Sequence, residues 1–160
     1  MTTLAGPTGN IVLAGYSVEG TGPSATFYLP QGITIDDSGN LYVADSGAYK
    51  LRKVTPGGTT STIGNSLYYY KTNFRKEDGY AYTVVESGFS GIFQSQSVAV
   101  HSRITGSNLI GYENSNFTHS RWGYMSGIVG NANGLYVLDY GNSVLRKMDF
   151  ESRKSLHFNC

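Results

Sequence analysis

Cysteine is all but missing from this sequence. Cys160 is the one cysteine and the last residue, which excludes an internal disulfide and any cysteine-based zinc site. Charge is sparse too. Asp, Glu, Lys and Arg make up 14% of the residues and the formal net charge is +1, so no general attraction to nucleic acid or to an anionic membrane is expected. No apolar run approaches the ~18 residues that a membrane-spanning helix needs. The N-terminal stretch MTTLAGPTGNIVLAG has no basic region and is broken by Gly and Pro, so it reads poorly as a signal peptide. The histidines His101, His119 and His157 show no HxH or HExxH spacing. Neither a G-x-S-x-G elbow nor a glycine loop opening a helix occurs. No metal and no other cofactor is expected.

What the chain does contain is glycine and tyrosine. Of 160 residues, 21 are Gly and 13 are Tyr, more than the 7 Phe and 1 Trp together. That composition suits many short strands joined by tight turns, and suits helical bundles poorly. It also contains a repeat. Leu41-Tyr42-Val43 returns as Leu135-Tyr136-Val137, 94 residues on (135 − 41), and Arg52-Lys53 returns as Arg146-Lys147 at the same offset (146 − 52). A worn copy is expected midway, because repeat arrays are periodic. Ile63-Gly64 and Ile110-Gly111 lie 47 apart (111 − 64), which predicts three units of blade size.

The first unit, residues 27–64, is the clearest. Ile33 and Ile35 alternate with polar neighbours, Asp37-Ser38-Gly39-Asn40 is a turn cluster, Leu41 to Asp45 and Tyr49 to Thr55 read as strands, and Thr59 to Ile63 is a Thr-rich outer strand. The second unit, 79–111, is predicted to hold strands at Tyr80–Val85, Gly91–Gln94, Ser97–Thr105 and Asn108–Gly111. The third, 126–158, is predicted to hold strands near Gly127–Gly130, Leu135–Asp139, Val144–Met148 and Ser155–Phe158. Residues 10–15, NIVLAG, form a spare outer strand. Asn65 to Asp78 reads as an irregular connection. The predicted fold is all-β: about three blades of four antiparallel strands in one domain, an incomplete β-propeller or one completed by oligomerisation.

These residues resemble the NHL repeat family. Leu13-Ala14-Gly15, Ala25, Phe27, Pro30, Gly32-Ile33, Asp36, Gly39 to Asp45, and Leu51-Arg52-Lys53-Val54 follow its pattern. The third unit keeps Gly127-Ile128, Gly134 to Asp139 and Leu145-Arg146-Lys147; the second keeps little. The resemblance implies an open-centred propeller, usually of six blades. Three blades do not close such a ring, so the two end blades are expected to expose apolar flanks that associate with further blades or with another copy.

Asp45 and Asp139 end the second strand of their units, and each is expected to fix the next turn by accepting from backbone N–H groups two residues on. Gly47 and Gly141 occupy those turns. Arg52 and Arg146 are expected to pair with a carboxylate or to lie over a neighbouring strand. Asp36 and Asp37 are expected to cap the first turn rather than to ligate metal. Tyr68, Tyr69, Tyr70, Trp122 and Tyr124 are candidates for an interaction surface, with loop cover and inter-blade packing as the alternatives. Asn116-Phe117-Thr118 is a glycosylation sequon, with Asn116 the acceptor if the chain is secreted.

Two function classes follow. The first is a non-catalytic module for protein binding or self-assembly, as an extracellular or structural component, since propeller faces are built of turns that vary without cost to the core. The second, implied by six-bladed relatives of similar type, is a metal-dependent lyase or hydrolase, with Glu113 and Asn114 near a channel mouth. The first is preferred: partners are expected to be protein or self, with nucleic acid unlikely and no membrane.

Overall fold

A computed structural model of the chain describes residues 2–8, 17–65, 69–86, 90–97, 100–107, 111–117, 119–152 and 154–157. Their strands form three separate four-stranded antiparallel sheets, each wound as a meander in chain order. Blade one contains β1 (Pro30–Ile35), β2 (Leu41–Asp45), β3 (Lys50–Val54) and β4 (Thr60–Asn65). Blade two contains β5 (Tyr69–Arg75), β6 (Tyr80–Glu86), β7 (Ser90–Ser97) and β8 (Val100–Ser107). Blade three contains β9 (Met125–Asn131), β10 (Gly134–Asp139), β11 (Val144–Asp149) and β12 (Lys154–His157). The first strands β1, β5 and β9 lie side by side. The predicted spare strand at 10–15 lies outside the described residues.

Turn chemistry sets the meander. At the β1–β2 turn the Asp36 carboxylate accepts from the backbone N–H of Ser38 (2.9 Å) and of Asn40 (2.8 Å), and Gly39 takes a positive φ of 79° that a side chain would disfavour. Tyr42, one residue into β2, donates its hydroxyl to Asp36 (3.1 Å). Blade two repeats the device: Tyr82 donates to Asp78 at 2.7 Å.

Blade two corrects the sequence reading. It begins at Tyr69, not Gly79, and its first strand lies in the segment expected to be irregular. The strands predicted at Gly91–Gln94 and Ser97–Thr105 are the third and fourth of the blade, not the second and third. Asn108, Leu109 and Ile110 lie outside the described residues, and Gly111 sits beyond β8 in the connection to blade three. The registers make Tyr82 the counterpart of Tyr42, 40 residues on (82 − 42), so the midpoint of 47 does not hold. Blades one and two are joined by a short link, and a long connector precedes blade three.

The charges in β5 explain why it resembles a loop. They reach neighbouring backbone, and Arg75 also pairs with Asp78 at the end of its own hairpin (2.5 Å). Lys71 donates to the Gln31 carbonyl (2.9 Å), while Arg75 donates to the carbonyls of Asn131 (3.1 Å) and Ala132 (3.3 Å). Phe74 N–H donates to the Thr34 hydroxyl at 2.9 Å. Polar side chains in the central blade thus tie it to both neighbours.

Apolar faces do the rest. Tyr42, Ala44, Leu51 and Ile63 of blade one pack on Ala81, Val85 and Phe93 of blade two, with Tyr42 stacked on Phe74 at 5.4 Å between ring centroids. The opposite face of blade two, Tyr82, Val84 and Ile92, packs on Trp122, Met125, Leu135, Val137 and Met148 on the blade-three side. Each fully buried side chain of this size contributes about 1.5–3 kcal/mol. Truncating Phe93 to Ala is expected to cost about 3–5 kcal/mol. Urea unfolding that shows a much lower midpoint at an unchanged slope is the result that checks it.

Candidate functional site

The most elaborate polar constructions in the chain are two buried carboxylate–guanidinium pairs, one in blade one and one in blade three. Asp45 and Arg52 sit on adjacent strands, as do Asp139 and Arg146, and all four side chains are 0% exposed. The Arg52–Asp45 separation is 3.5 Å and the Arg146–Asp139 separation is 3.0 Å.

Each pair grips the connector that runs ahead of its blade. Asp45 accepts from the Tyr28 N–H (2.7 Å), and Asp139 from the Gly123 N–H (3.0 Å). Arg52 donates to the carbonyls of Val18 (3.1 Å) and Thr26 (3.4 Å). Arg146 donates to the carbonyls of Glu113 (2.7 Å) and Arg121 (2.5 Å). Each guanidinium also reaches a hydroxyl on the outer strand, Thr60 or Ser155, at 3.2 Å in both cases. Each lies over an aromatic ring of the connector: Arg52 is 5.4 Å from the Phe27 centroid, and Arg146 is 3.9 Å from that of Trp122. Both leave only Nε without an acceptor. The connector partners repeat 95 residues apart (113 − 18, 121 − 26, 122 − 27), one more than the offset of the pairs themselves.

Burial lowers the pKa of the Arg52 and Arg146 guanidinium groups from the ordinary value, and the attached carboxylates oppose that shift. With both oxygens of each carboxylate occupied, the pairs are structural clamps and offer no group to a substrate. In blade two the same two positions hold Val85 and Phe93, so the short link is accompanied by an apolar pair in place of a charged one.

The sequence reading of Asp45 and Asp139 is thereby corrected. Neither carboxylate accepts from the backbone of its own turn; each takes a connector N–H instead, and Asp139 also holds its turn through the Asn142 side-chain amide (2.9 and 3.0 Å). Gly47 and Gly141 do occupy the turns, but for closeness rather than for φ. Gly47 N–H donates to Tyr28 O (2.9 Å) and Gly141 N–H to Tyr124 O (3.0 Å). A Cβ on Gly47 would stand 2.7 Å from Tyr28 O, and one on Gly141 would stand 2.5 Å from Tyr124 N. The positive φ falls on Tyr49 and Ser143 instead.

Trp122 packs between blades, the alternative to a surface platform: it is 0% exposed, lies in the cluster with Tyr82, Val84 and Ile92, is covered by Arg146 and donates its indole N–H to Thr105 at 3.2 Å. Tyr124 is exposed. Tyr68 lies outside the described residues, while Tyr69 and Tyr70 form the start of β5 and their side chains are likewise outside the description. Asn116 is exposed and accepts from His119 N–H at 3.1 Å. Glu113 pairs with Arg121 (3.1 Å) at a half-exposed site in the connector. Among the described residues no group of three or more His, Cys, Asp or Glu side chains is arranged to hold a metal ion.

Three of the concavities among the described residues lie against blade faces. One of about 430 Å³ lies on the flank of blade one, between Leu4 and Ala5 on one side and Phe27, Ile33, Leu41 and Val54 on the other. Another of about 580 Å³, lined by Asp78, Tyr80, Tyr82, Ile104, Phe117 and Phe150, lies where blades two and three meet. A third of about 380 Å³ lies on the open flank of blade three against Leu138, Tyr140, Val144 and Leu145.

Replacing Arg146 with Ala strands a buried carboxylate, and a loss of about 3–5 kcal/mol is expected in equilibrium unfolding. Gly141→Ala is expected to destabilise far more than Gly57→Ala, whose added Cβ has its nearest neighbour 3.9 Å away; thermal melts of the two variants decide it. Asp36 gives a pH dependence. Burial opposes its ionisation, but hydrogen bonds from Asn40, Tyr42 and Ser38 outweigh that and hold its carboxyl below the ordinary 3.8. Its folded value is therefore depressed, so its contribution is present above the unfolded value and lost as pH falls through the folded one. The melting temperature of Asp36→Asn is expected to lie below that of the parent at pH 6 and to converge with it below pH ~3.8.

The chain has counterparts among known proteins. The NHL repeat model matches residues 27–53. A search of curated proteins finds no match. Among solved structures, a Bacteroides thetaiotaomicron VPI-5482 protein of unknown function aligns with a TM-score of 0.66 at 14% identity, over 80% of this chain and 35% of that one. Virginiamycin B lyase from Staphylococcus aureus aligns with a TM-score of 0.61 at 12% identity, over 82% of this chain and 41% of that one. A chain of a nidogen–laminin complex aligns with a TM-score of 0.51 at 13% identity, over 84% of this chain and 65% of that one. The chain thus spans well under half the length of the first two. Blade one carries an NHL repeat at residues 27–53, and the described residues form three four-stranded blades of a β-propeller fold.

Proposed function

We propose that this chain is a non-catalytic propeller module that binds protein through its open flanks. The observation that carries the reading is where exposed apolar side chains collect. On blade one, Ile33 and Ile35 are 64% and 59% exposed; on blade three, Val129 and Leu138 are 57% and 51% exposed. Register places Ile33 and Ile35 on one face with Val43 and Leu41, and places Val129, Leu138, Leu145 and Leu156 together on the outer face of blade three. Apolar surface gathered into contiguous faces of this kind marks interaction sites.

The buried charges support the same reading from the other side. Asp45, Arg52, Asp139 and Arg146 are spent on holding connectors, which leaves them no role in acid–base chemistry. That one structural neighbour comes from a protein–protein complex fits a protein partner. The test is affinity purification from the native source with the parent chain and with Leu138→Lys/Leu145→Lys, after melting curves show both to be folded. Proteins retained by the parent and lost from the variant are expected; equal retention would overturn the reading.

A further inference from the structure

The two open flanks are complementary halves of one kind of junction, and the chain itself shows how such a junction is built. Between blades one and two, the face carrying Tyr42, Ala44 and Leu51 packs on the face carrying Ala81, Val85 and Phe93. Between blades two and three, Tyr82, Val84 and Ile92 pack on Leu135, Val137 and Met148. By strand register, Tyr82, Val84 and Ile92 are the counterparts of Tyr42, Ala44 and Leu51. Both junctions therefore join a leading face to the following blade's trailing face, in the same sense.

One face of each kind is left over. Blade three ends on a leading face, in which Tyr136, Leu138 and Leu145 stand where blade one has Tyr42, Ala44 and Leu51. Blade one opens on a trailing face, in which Leu41, Val43 and Val54 stand where blade three has Leu135, Val137 and Met148, with Phe27 in the place of Trp122. Val43 and Val54 are already buried, Leu4 and Ala5 lie beside them, and Ile33 and Ile35 are the exposed part of this face. The leftover leading face is also more apolar than its buried counterpart. Leu138 replaces Ala44, and Val129 replaces Thr34, the residue whose hydroxyl accepts the Phe74 N–H. An exposed surface richer in aliphatic groups than the equivalent buried one is the reverse of what solvent exposure favours.

We infer that a second copy of this chain covers these flanks, head to tail, blade three of one copy seating on blade one of the other. This rests on the reading of the flanks as protein-binding surfaces, and names their partner. A contact between two different faces is heterologous, so it closes into a ring where the rotation allows and otherwise propagates as a series. The second internal junction sets the pairing: Ile128 and Val84 belong to one cluster, and their counterparts at the open flanks are Ile33 and Leu138.

Sedimentation of the purified chain is expected to show self-association, either a closed pair or a concentration-dependent series, weakened at least about a hundredfold by Leu138→Lys/Leu145→Lys through a charge desolvated in the contact. A second measurement covers the case in which that variant misfolds. In a Cys160→Ser background, mixing Ile33→Cys with Leu138→Cys is expected to yield an oxidised heterodimer, with little crosslinking in either variant alone. Crosslinks confined to like variants would mean a back-to-back contact and overturn the inference. So would a parent chain that sediments as a monomer at every concentration; its flanks would then belong to other blades or another protein. A monomer whose lysine variant still loses the proteins retained by the parent would sink self-association alone and leave protein binding standing.

Discussion

The structure depends on a buried Asp–Arg pair used as a bracket. A β-meander satisfies its own backbone by ladder hydrogen bonds, but an irregular connector laid against its flank has no ladder to join. Asp45 and Arg52 supply what is missing: an acceptor for one connector N–H and donors for two connector carbonyls. Neither charge is easily left in the interior alone. The pair and the connector are therefore mutually required, and blade three repeats the arrangement with Asp139 and Arg146. Blade two follows a short link, carries Val85 and Phe93 instead, and has no long connector ahead of it to be held.

Assembly of the blades follows from that division of labour. Clamps hold connectors to blades; apolar faces and the polar side chains of β5 hold blades to one another. Lys71 and Arg75 reach backbone carbonyls on either side, which fixes the angular order of the inner strands without sheet pairing between them. The faces meet always in the same sense, so the array has a direction and two unlike ends.

Much of this was legible in the residues. The alternation of Ile33 and Ile35, the turn at Asp36 to Asn40 and the repeat at an offset of 94 (135 − 41) located blades one and three to within a few residues. Blade two was not legible because Lys71 and Arg75 reach carbonyls of other blades and Arg75 pairs with Asp78 across its own turn, demands that read locally as a loop. The equal spacing expected of a repeat also failed, since one junction has a short link and the other a long connector. The clamp was half visible. Asp and Arg repeat plainly, but their shared target does not. Residues 17–28 and 112–123 have no residue in common at any of twelve aligned positions. The bonds they make run mostly through backbone atoms, which carry no side-chain signature. Trp122 shows the converse: its residue type leaves both inter-blade packing and a surface open, and its burial under the Arg146 guanidinium decides for packing.

That mismatch between fixed bonds and free side chains has a consequence for how such a protein changes over time. Because the bracket grips peptide groups at Val18, Thr26, Glu113 and Arg121, it sets no demand on the side chains exposed at the tips between them, such as Pro23, Ser24, Asn116 and His119, whereas Phe117, which packs on the core beside Phe150, is held to its place. One solution to docking is thereby preserved while its outward vocabulary drifts, so new specificities can arise at these two tips by simple substitution, on a frame that does not register the change.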